Sequence, residues 1–167
     1  MADIGRFRSE LTIVALVIVI DQLVKAIVRS SLQLHDTVEV IPGFFSLTRV
    51  HNFGAAFGLG NAVDFPFKTV ILSIVAAAAL SALAWYGSSL PPEQPLARVG
   101  LALIVGGAAG NLIDRLKDGY VLDFFDFYWN GWHFWAFNVA DAAITVGVSL
   151  MILDLLQIGP RRVSRAV

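Results

Sequence analysis

Three aspartates in the second half of the chain are the side chains best suited to catalysis: Asp123, Asp126 and Asp141. Two carboxyl groups held close together cannot both ionise, so one keeps a proton while the other acts as a base. Such a pair can activate a water molecule without a metal ion or a covalent intermediate. Asp141 is one expected member of the pair, and the spacing leaves Asp123 and Asp126 equally able to supply the other.

A purely local explanation also exists for Asp141. It closes the segment Phe137-Asn138-Val139-Ala140-Asp141, which opens an apolar run. Asn138 can cap a helix there, with Asp141 as the third-position acid of a capping box, stabilised by the helix dipole. This arrangement accounts for both residues without a catalytic role, so the residues alone leave both interpretations open.

Other catalytic and binding chemistries find little support in the sequence. No cysteine is present, which excludes disulfides, cysteine nucleophiles and cysteine-ligated zinc. The histidines lack HExxH spacing, and no apolar run pairs a serine with a histidine. With 12 basic and 13 acidic residues, the chain has no basic excess that would attract nucleic acid. The sequence therefore predicts neither a metal ion, a cofactor nor a nucleic-acid partner.

The composition predicts that these aspartates are carried by a membrane protein. Hydrophobic residues make up 57% of the 167 residues and charged residues only 15%, against roughly 25% charge in soluble domains. Four apolar runs approach the length of about 20 residues that crosses a bilayer as a helix; they span 11–29, 65–86, 96–116 and 137–158. We therefore predict an all-α membrane protein of four transmembrane helices in one domain, 1–167. A cleaved signal peptide is the alternative for the first run, but Asp21 and Lys25 interrupt it where a small-residue cleavage site is expected.

An even number of spans places both termini on one side of the membrane. Arginines cluster at both ends, which favours the cytoplasmic side for them: Arg6, Arg8, Arg161, Arg162 and Arg165. The two longer connections, 30–64 and 117–136, then share the opposite face. The first contains extended segments that predict a small sheet or half-barrel, and the second is an aromatic-rich surface loop expected to rest on lipid. Asp123 and Asp141 are therefore expected at the same membrane surface.

Ionisable residues inside the apolar runs need a reason, because charge at mid-bilayer is unfavourable. Asp21 and Lys25 are four residues apart on one helix and can neutralise each other, with a proton-relay role as the alternative. Asp114 and Arg115 fit a charge pair at a helix end, while the amide of Asn111 requires a polar partner. Asp154 can reach the membrane interface, and no role is predicted for it.

Two further interpretations belong to other functional classes. A small proton-coupled transporter could use Asp21, Lys25, Asp141 and Asp154 as relay groups, but it requires carboxylates spread through the membrane depth. A structural adaptor could associate through Gly106 and Gly110, which have GxxxG spacing. That interpretation leaves the amides of Asn111 and Asn138 without a purpose.

Five short blocks, in order along the chain, resemble the lipoprotein signal peptidase (signal peptidase II) family. They are Asp21-Gln22-Leu23-Val24-Lys25, Asn52-Phe53-Gly54-Ala55-Ala56-Phe57, Gly110-Asn111-Leu112-Ile113-Asp114-Arg115, Val121-Leu122-Asp123-Phe124 and Phe137-Asn138-Val139-Ala140-Asp141. Each block alone is a weak signal, whereas five in order within a four-helix frame are specific. One departure is Trp135, which stands where many members have a proline.

The resemblance implies a function and assigns roles to residues. It implies an aspartic endopeptidase of the bacterial cytoplasmic membrane that cuts diacylglyceryl-modified prolipoproteins just before the lipidated cysteine. Asp123 and Asp141 become the catalytic pair, which resolves the choice against Asp126. Binding or supporting roles fall on Asn52, Gly54, Asn111, Arg115, Asn138, Asp114, Asp21 and Lys25. The expected partners are the prolipoprotein and membrane lipids, the expected state is a monomer, and the segment 52–60 is expected to close over the peptide.

Overall fold

Four helices and four strands make up the described part of the chain. The computed structural model describes residues 7–54 and 66–156. In chain order the elements are α1 (Arg8–Ser31), β1 (Thr37–Ile41), β2 (Phe45–Asn52), α2 (Lys68–Ser89), α3 (Pro95–Asp118), β3 (Val121–Trp129), β4 (Trp132–His133) and α4 (Val139–Leu155). Each predicted apolar run therefore coincides with a helix. The terminal arginines other than Arg8, and the segment 55–60 expected to close over a peptide, lie outside the described residues.

The helices have the surface of membrane-embedded segments. In the described part, α1, α2 and α3 are long and apolar enough to cross a membrane, and α4 comprises 17 residues. Large apolar side chains point outward: Leu23 is 59% exposed and Ile74 is 63% exposed, whereas Asp21 and Lys25 are fully buried. A water-soluble helix has the opposite arrangement. Polar groups inside and apolar groups outside are typical of a membrane protein.

Helix α3 forms the centre of the bundle and contacts the other three helices. Its glycines permit the close approach of α4, as small residues do between membrane helices. A Cβ atom on Gly100 would lie 2.6 Å from the carbonyl oxygen of Gly147, and one on Gly107 would overlap the carbonyl oxygen of Ala140. The first turn of α4, which carries Asp141, therefore lies directly against α3.

The strands form one antiparallel sheet at the end of the bundle, in the order β1-β2-β3-β4. The predicted extended segments of the first connection are confirmed as β1 and β2. Gly119 adopts a left-handed conformation (φ 80°) and ends α3 two residues before β3 begins. Leu122 and Phe124 of β3 are completely buried and cluster with Val28 of α1. This cluster fixes the sheet to the helices.

The predicted aromatic-rich loop is corrected by the structure, because most of this segment is the strand β3 and its short partner β4. β-Branched and aromatic residues favour strands, and successive side chains of a strand face opposite sides. The rings therefore divide between two environments. Phe124 lies in the core, whereas Trp129 and Trp132 are 66% and 67% exposed. Only part of the aromatic set is available to a lipid surface.

The contact between α3 and α4 can be tested by substitution of Gly107. In Gly107→Ala, the added methyl group would collide with Ala140, and overpacking of this kind destabilises a protein by about 1–3 kcal/mol. We expect a lower unfolding temperature in detergent than for Ser81→Ala, which alters an exposed side chain of α2. Equal unfolding temperatures for the two variants would contradict the packing described.

Candidate active site

The structure brings Asp123 and Asp141 to the same end of the bundle from two different elements. Asp123 lies on β3, and Asp141 is the third residue of α4. The chain entering α4 is attached to β3 by paired backbone hydrogen bonds between Phe125 and Phe137, at 2.8 and 3.1 Å. This bridge places the first turn of α4 beside the strand that carries Asp123.

Asn138 connects the two aspartates. Its Nδ2 donates to Asp123 Oδ1 at 2.7 Å, and its Oδ1 accepts from the Asp141 backbone N–H at 2.9 Å. The Asn138 backbone N–H in turn donates to Asp141 Oδ2 at 3.3 Å. The predicted capping box is confirmed. It does not exclude a chemical role, because the same asparagine that caps the helix also contacts the second carboxyl group.

Two further amides hold the remaining oxygens of the pair. Asn52 Nδ2 donates to Asp123 Oδ2 at 3.0 Å, and Asn111 Nδ2 donates to Asp141 Oδ1 at 2.8 Å. Each carboxyl oxygen therefore accepts at least one N–H. Gly54 supports Asn52, because its backbone N–H donates to Asn52 Oδ1 at 2.9 Å. Arg115 Nη2 donates to the Gly54 carbonyl oxygen at 2.9 Å and fixes this turn.

A buried charge network lies directly beneath the pair. Lys25 Nζ is 2.8 Å from both Asp21 Oδ2 and Asp114 Oδ2, and it donates to Asn111 Oδ1 at 3.1 Å. All three ammonium hydrogens thus have acceptors, and Lys25, Asp21 and Asp114 are fully buried. The predicted pairing of Asp21 with Lys25 is confirmed, and the structure adds Asp114 as a second counter-charge.

The same network reaches the backbone next to each candidate catalytic acid. Asp21 Oδ1 accepts from the Ala140 backbone N–H at 3.0 Å, one residue before Asp141. Asp114 Oδ2 accepts from the Leu122 backbone N–H at 3.2 Å, one residue before Asp123. The charge network therefore positions the backbone just before Asp123 and just before Asp141, in addition to pairing its own charged groups.

Sequence reasoning missed one member of this framework. Gln22 Nε2 donates to Asp114 Oδ1 at 3.0 Å and also lies 3.2 Å from Asp21 Oδ2. It sits beside Asp21 in the first of the five sequence blocks, but nothing in its spacing indicated a contact with α3. A polar amide within an apolar run was the signal available.

Asp126 lies away from the pair. It is three residues from Asp123 on the same strand, so the two side chains face opposite sides of β3. Its carboxylate contacts His133 Nδ1 at 2.9 Å. The geometry therefore separates the two candidates that spacing alone left equal.

A small cavity adjoins the site between α2, α3 and α4. Its volume is about 160 Å³, and its lining combines Asn52, Asn111, Arg115 and Asp141 with the apolar residues Ala76, Ala108, Val121 and Ile144. The lining therefore offers both groups that can hydrogen-bond a peptide and groups that can contact apolar side chains. Among the residues that the structure describes, no three His, Cys, Asp or Glu side chains are grouped to hold a metal ion.

Burial sets the protonation of Asp123. Its side chain is only 3% exposed. Burial and the neighbouring Asp141 carboxylate raise the pKa of Asp123 to about 7, against the hydrogen bonds from Asn52 and Asn138 that favour its ionised form. A carboxyl group with this pKa can hold or release a proton near neutral pH, as a general acid or base requires.

The apolar helical frame carries at one end a pair of carboxyl groups that are hydrogen-bonded to the same asparagine residue. This combination is typical of a membrane peptidase of the aspartic class. The comparisons with known proteins identify the family. The family model described as "Signal peptidase (SPase) II" matches residues 13–157. This chain therefore belongs to the signal peptidase II family and is a membrane protein.

Relatives and solved structures agree with this assignment. The chain is 43% identical over 152 residues to the lipoprotein signal peptidase of Syntrophotalea carbinolica, covering 90% of this chain and 92% of that protein. It is 45% identical over 139 residues to that of Symbiobacterium thermophilum, covering 83% and 88%. A solved bacterial membrane enzyme superposes with a TM-score of 0.79 at 34% identity, covering 89% of this chain and 88% of that chain. A second does so with a TM-score of 0.78 at 29% identity, covering 90% and 94%.

Removing the central lysine tests the buried charge network. Lys25→Met removes the cation paired with Asp21 and leaves Asp114 with only the more distant Arg29, whose Nη2 lies 3.6 Å from Asp114 Oδ1. Breaking a buried pair in this way destabilises by about 3–5 kcal/mol. We expect a marked loss of thermal stability in detergent, with partial recovery when Asp21→Asn and Asp114→Asn are added. Lys117→Met, at an exposed position of α3, is the matched control. A Lys25→Met variant as stable as this control would contradict the network.

The raised pKa of Asp123 predicts how stability depends on pH. An unfolded chain loses this proton near pH 4, whereas the folded protein retains it to about pH 7. The unfolded state is therefore favoured progressively as pH rises between those values, and folding stability falls over that window before levelling off. Asp123→Asn removes this contribution, so its unfolding temperature should fall less over the same window.

Thermal unfolding at several pH values between about 4 and 8 measures this difference. Glu93→Gln, which removes a carboxylate at the opposite end of the bundle, should retain the pH dependence of the unaltered chain. If the profile of Asp123→Asn matched that of Glu93→Gln, the raised pKa would be refuted.

Proposed function

We propose that this chain is an aspartic endopeptidase that removes the signal peptide from diacylglyceryl-modified prolipoproteins, cutting just before the lipidated cysteine. Family membership supports the cleavage of lipoprotein signal peptides. The observation that carries the catalytic assignment is the contact of Asn138 with both Asp123 and Asp141. One asparagine holds the buried carboxyl group of Asp123 and the half-buried carboxyl group of Asp141 in a fixed relation at the N-terminus of α4.

In the proposed mechanism the aspartates divide acid and base roles between them. The ionised member takes a proton from a bound water as that water attacks the scissile carbonyl carbon, and the protonated member donates its proton to the carbonyl oxygen. When the tetrahedral intermediate collapses, the C–N bond breaks and the aspartate that took the proton from water gives it to the leaving amine nitrogen. The other aspartate takes a proton from a hydroxyl group of the intermediate as the new carboxyl group forms, which restores the starting pair. The pair titrates as a unit, so either aspartate can begin as the base.

The surrounding amides have a geometric role in this mechanism. Asn52 and Asn111 each donate to one carboxyl oxygen, which limits rotation of both acids. Arg115 donates to the backbone of Asn111 and Gly54. It therefore fixes the cavity wall, and no cation of the described residues 7–54 and 66–156 forms an ion pair with Asp123 or Asp141.

Four transmembrane helices in the bacterial cytoplasmic membrane provide the setting for this reaction. The 17 residues of α4 extend over about 25 Å as a helix, close to the thickness of the hydrocarbon core. We place both termini in the cytoplasm and the carboxyl pair, with its sheet, at the extracytoplasmic face. A prolipoprotein whose signal helix lies in the bilayer and whose acyl chains lie in the outer leaflet can then reach the pair laterally.

Isosteric amide variants test the catalytic pair. Asp123→Asn and Asp141→Asn should each reduce cleavage of a diacylglyceryl-modified prolipoprotein by about a thousandfold or more, because neither acid nor base transfer can be completed. Mass measurement of the products, with purified protein in detergent or lipid, detects the released signal peptide. The unlipidated form of the same substrate should not be cleaved by the unaltered chain.

Asp126→Asn is the matched control, because it removes a carboxylate from the same strand on the opposite face. It should keep near-normal activity, and thermal unfolding should show that all three variants are folded. Substantial activity in either pair variant, or loss of activity in Asp126→Asn equal to theirs, would reject the assigned pair.

A further inference from the structure

Two cavities lie between α2, α3 and α4, one at the carboxyl pair and one at the opposite end of the helices, and together they define a groove along α3. Both α2 and α4 pack against α3, and α3 forms the floor between them. The cavity at the carboxyl pair is lined by Ala76 of α2, Ala108 of α3 and Ile144 of α4. A second, open cavity of about 560 Å³ lies at the opposite end of the same three helices, where Tyr86, Ala97 and Val148 line it.

Helical periodicity places the two cavities on one continuous face. On α3, Ala97 and Ala108 are eleven residues apart, or about three turns, so they point in nearly the same direction. On α4, the lining positions 141, 144, 148, 151, 152 and 155 form a single stripe, and Asp154 lines the second cavity from the edge of that stripe. The groove therefore begins at Asp141 and continues along α4 to its last turn.

The far end of the groove carries an acid. Asp154 lines the second cavity together with Gln94 and is half-buried. Within residues 7–54 and 66–156 it takes part in no ion pair. The neighbouring lining residues are apolar and exposed, with Ile152 at 50% and Tyr86 at 47%. The groove is thus lined mainly by apolar residues at this end and carries one negative charge there.

The length of this groove matches a signal peptide. Asp154 is thirteen residues beyond Asp141, which is about 20 Å along a helix axis. The apolar segment of a signal peptide has about 7–15 residues and follows a positively charged N-terminal segment. With the cleavage site at the carboxyl pair, a helical apolar segment would extend along the groove, and its preceding lysines or arginines would reach the level of Asp154.

We propose that the groove between α2 and α4 holds the signal-peptide helix of the substrate, and that Asp154 pairs with the basic N-terminal segment of that helix. This inference rests on the proposed function and its orientation, because only then does Asp154 lie at the cytoplasmic end, where the basic segment is held. Asp154 is a specificity-determining residue in this arrangement. Its distance from the reacting atoms means that it affects substrate binding and leaves the chemical step unchanged.

Steady-state cleavage with charge-altered substrates tests the pairing. The substrates are one diacylglyceryl-modified prolipoprotein with two lysines in its N-terminal segment and the same protein with both changed to glutamine or to glutamate. For the lysine substrate, Asp154→Asn should raise KM about three- to fivefold, as expected for loss of a partly screened ion pair, with kcat unchanged. For the glutamine substrate, the Asp154→Asn variant and the unaltered chain should have the same KM.

A charge reversal provides the decisive comparison. Asp154→Lys should bind the glutamate substrate better than the unaltered chain does, reversing the preference. Glu93→Gln is the matched control, since it removes a carboxylate near the same end without lining the groove. Thermal unfolding confirms that each variant is folded.

The outcomes separate the two proposals. The pairing is overturned and the proposed function stands if the unaltered chain cleaves all three lipidated substrates with the same KM. The same conclusion follows if Asp154→Asn and Glu93→Gln change the KM for the lysine substrate equally. A fall in kcat with constant KM would also overturn the pairing. If the unaltered chain fails to cleave the lipidated substrate at all, the proposed function fails and the pairing fails with it.

Discussion

The structure depends on the compensation of one buried ammonium group. Lys25 Nζ lies within 3.1 Å of three acceptors, contributed by Asp21 on its own helix and by Asp114 and Asn111 on α3. In a low-dielectric interior an uncompensated charge is strongly unfavourable, so these groups have to remain together. Since Asp21 also accepts from the backbone of Ala140, and Asp114 from that of Leu122, the same constraint fixes the start of α4 and the start of β3. The position of each candidate catalytic acid thus follows from the neutralisation of a lysine that contacts neither of them.

Close helix packing and helix capping also determine the position of the carboxyl pair. Gly107 and Gly110 of α3 leave room for Ala140 and for the carboxylate of Asp21, which allows α4 to begin directly against α3. Asn138 then caps α4 and contacts Asp123 across the gap to β3. Helix stability and site geometry therefore use the same hydrogen bonds. A substitution that loosens the first turn of α4 would be expected to alter the carboxyl pair before it alters the rest of the bundle.

Local patterns within single helices predicted two features correctly, whereas the expected charge pair of Asp114 with Arg115 is wrong. Asp114 pairs with Lys25 and Arg29, and Arg115 donates to backbone carbonyls. The four-residue spacing of Asp21 and Lys25 and the capping box of Asn138 and Asp141 depend on one helix each, and both are confirmed. The junction of Lys25 with Asp114 joins residues far apart in the chain, and no local pattern encodes it. The ambiguity between Asp123 and Asp126 arose because their segment was interpreted as a loop. As a strand it has a two-residue period, which places the two side chains on opposite faces.

The distribution of positive charge around the site supports the division of roles between its carboxyl groups. A cation bonded directly to Asp123 or Asp141 would favour the ionised form and remove the proton that an acid–base pair must share. Lys25 is instead saturated by Asp21, Asp114 and Asn111. Arg115 donates to the backbone carbonyls of Gly54 and Asn111. The candidate acids are held by neutral amides, which orient a carboxyl group in either protonation state. Asp21 and Asp114 are thus paired with Lys25, and Arg29 also lies 3.6 Å from Asp114. Asp123 is held by amides, and its burial and the neighbouring Asp141 carboxylate keep its pKa near neutral pH.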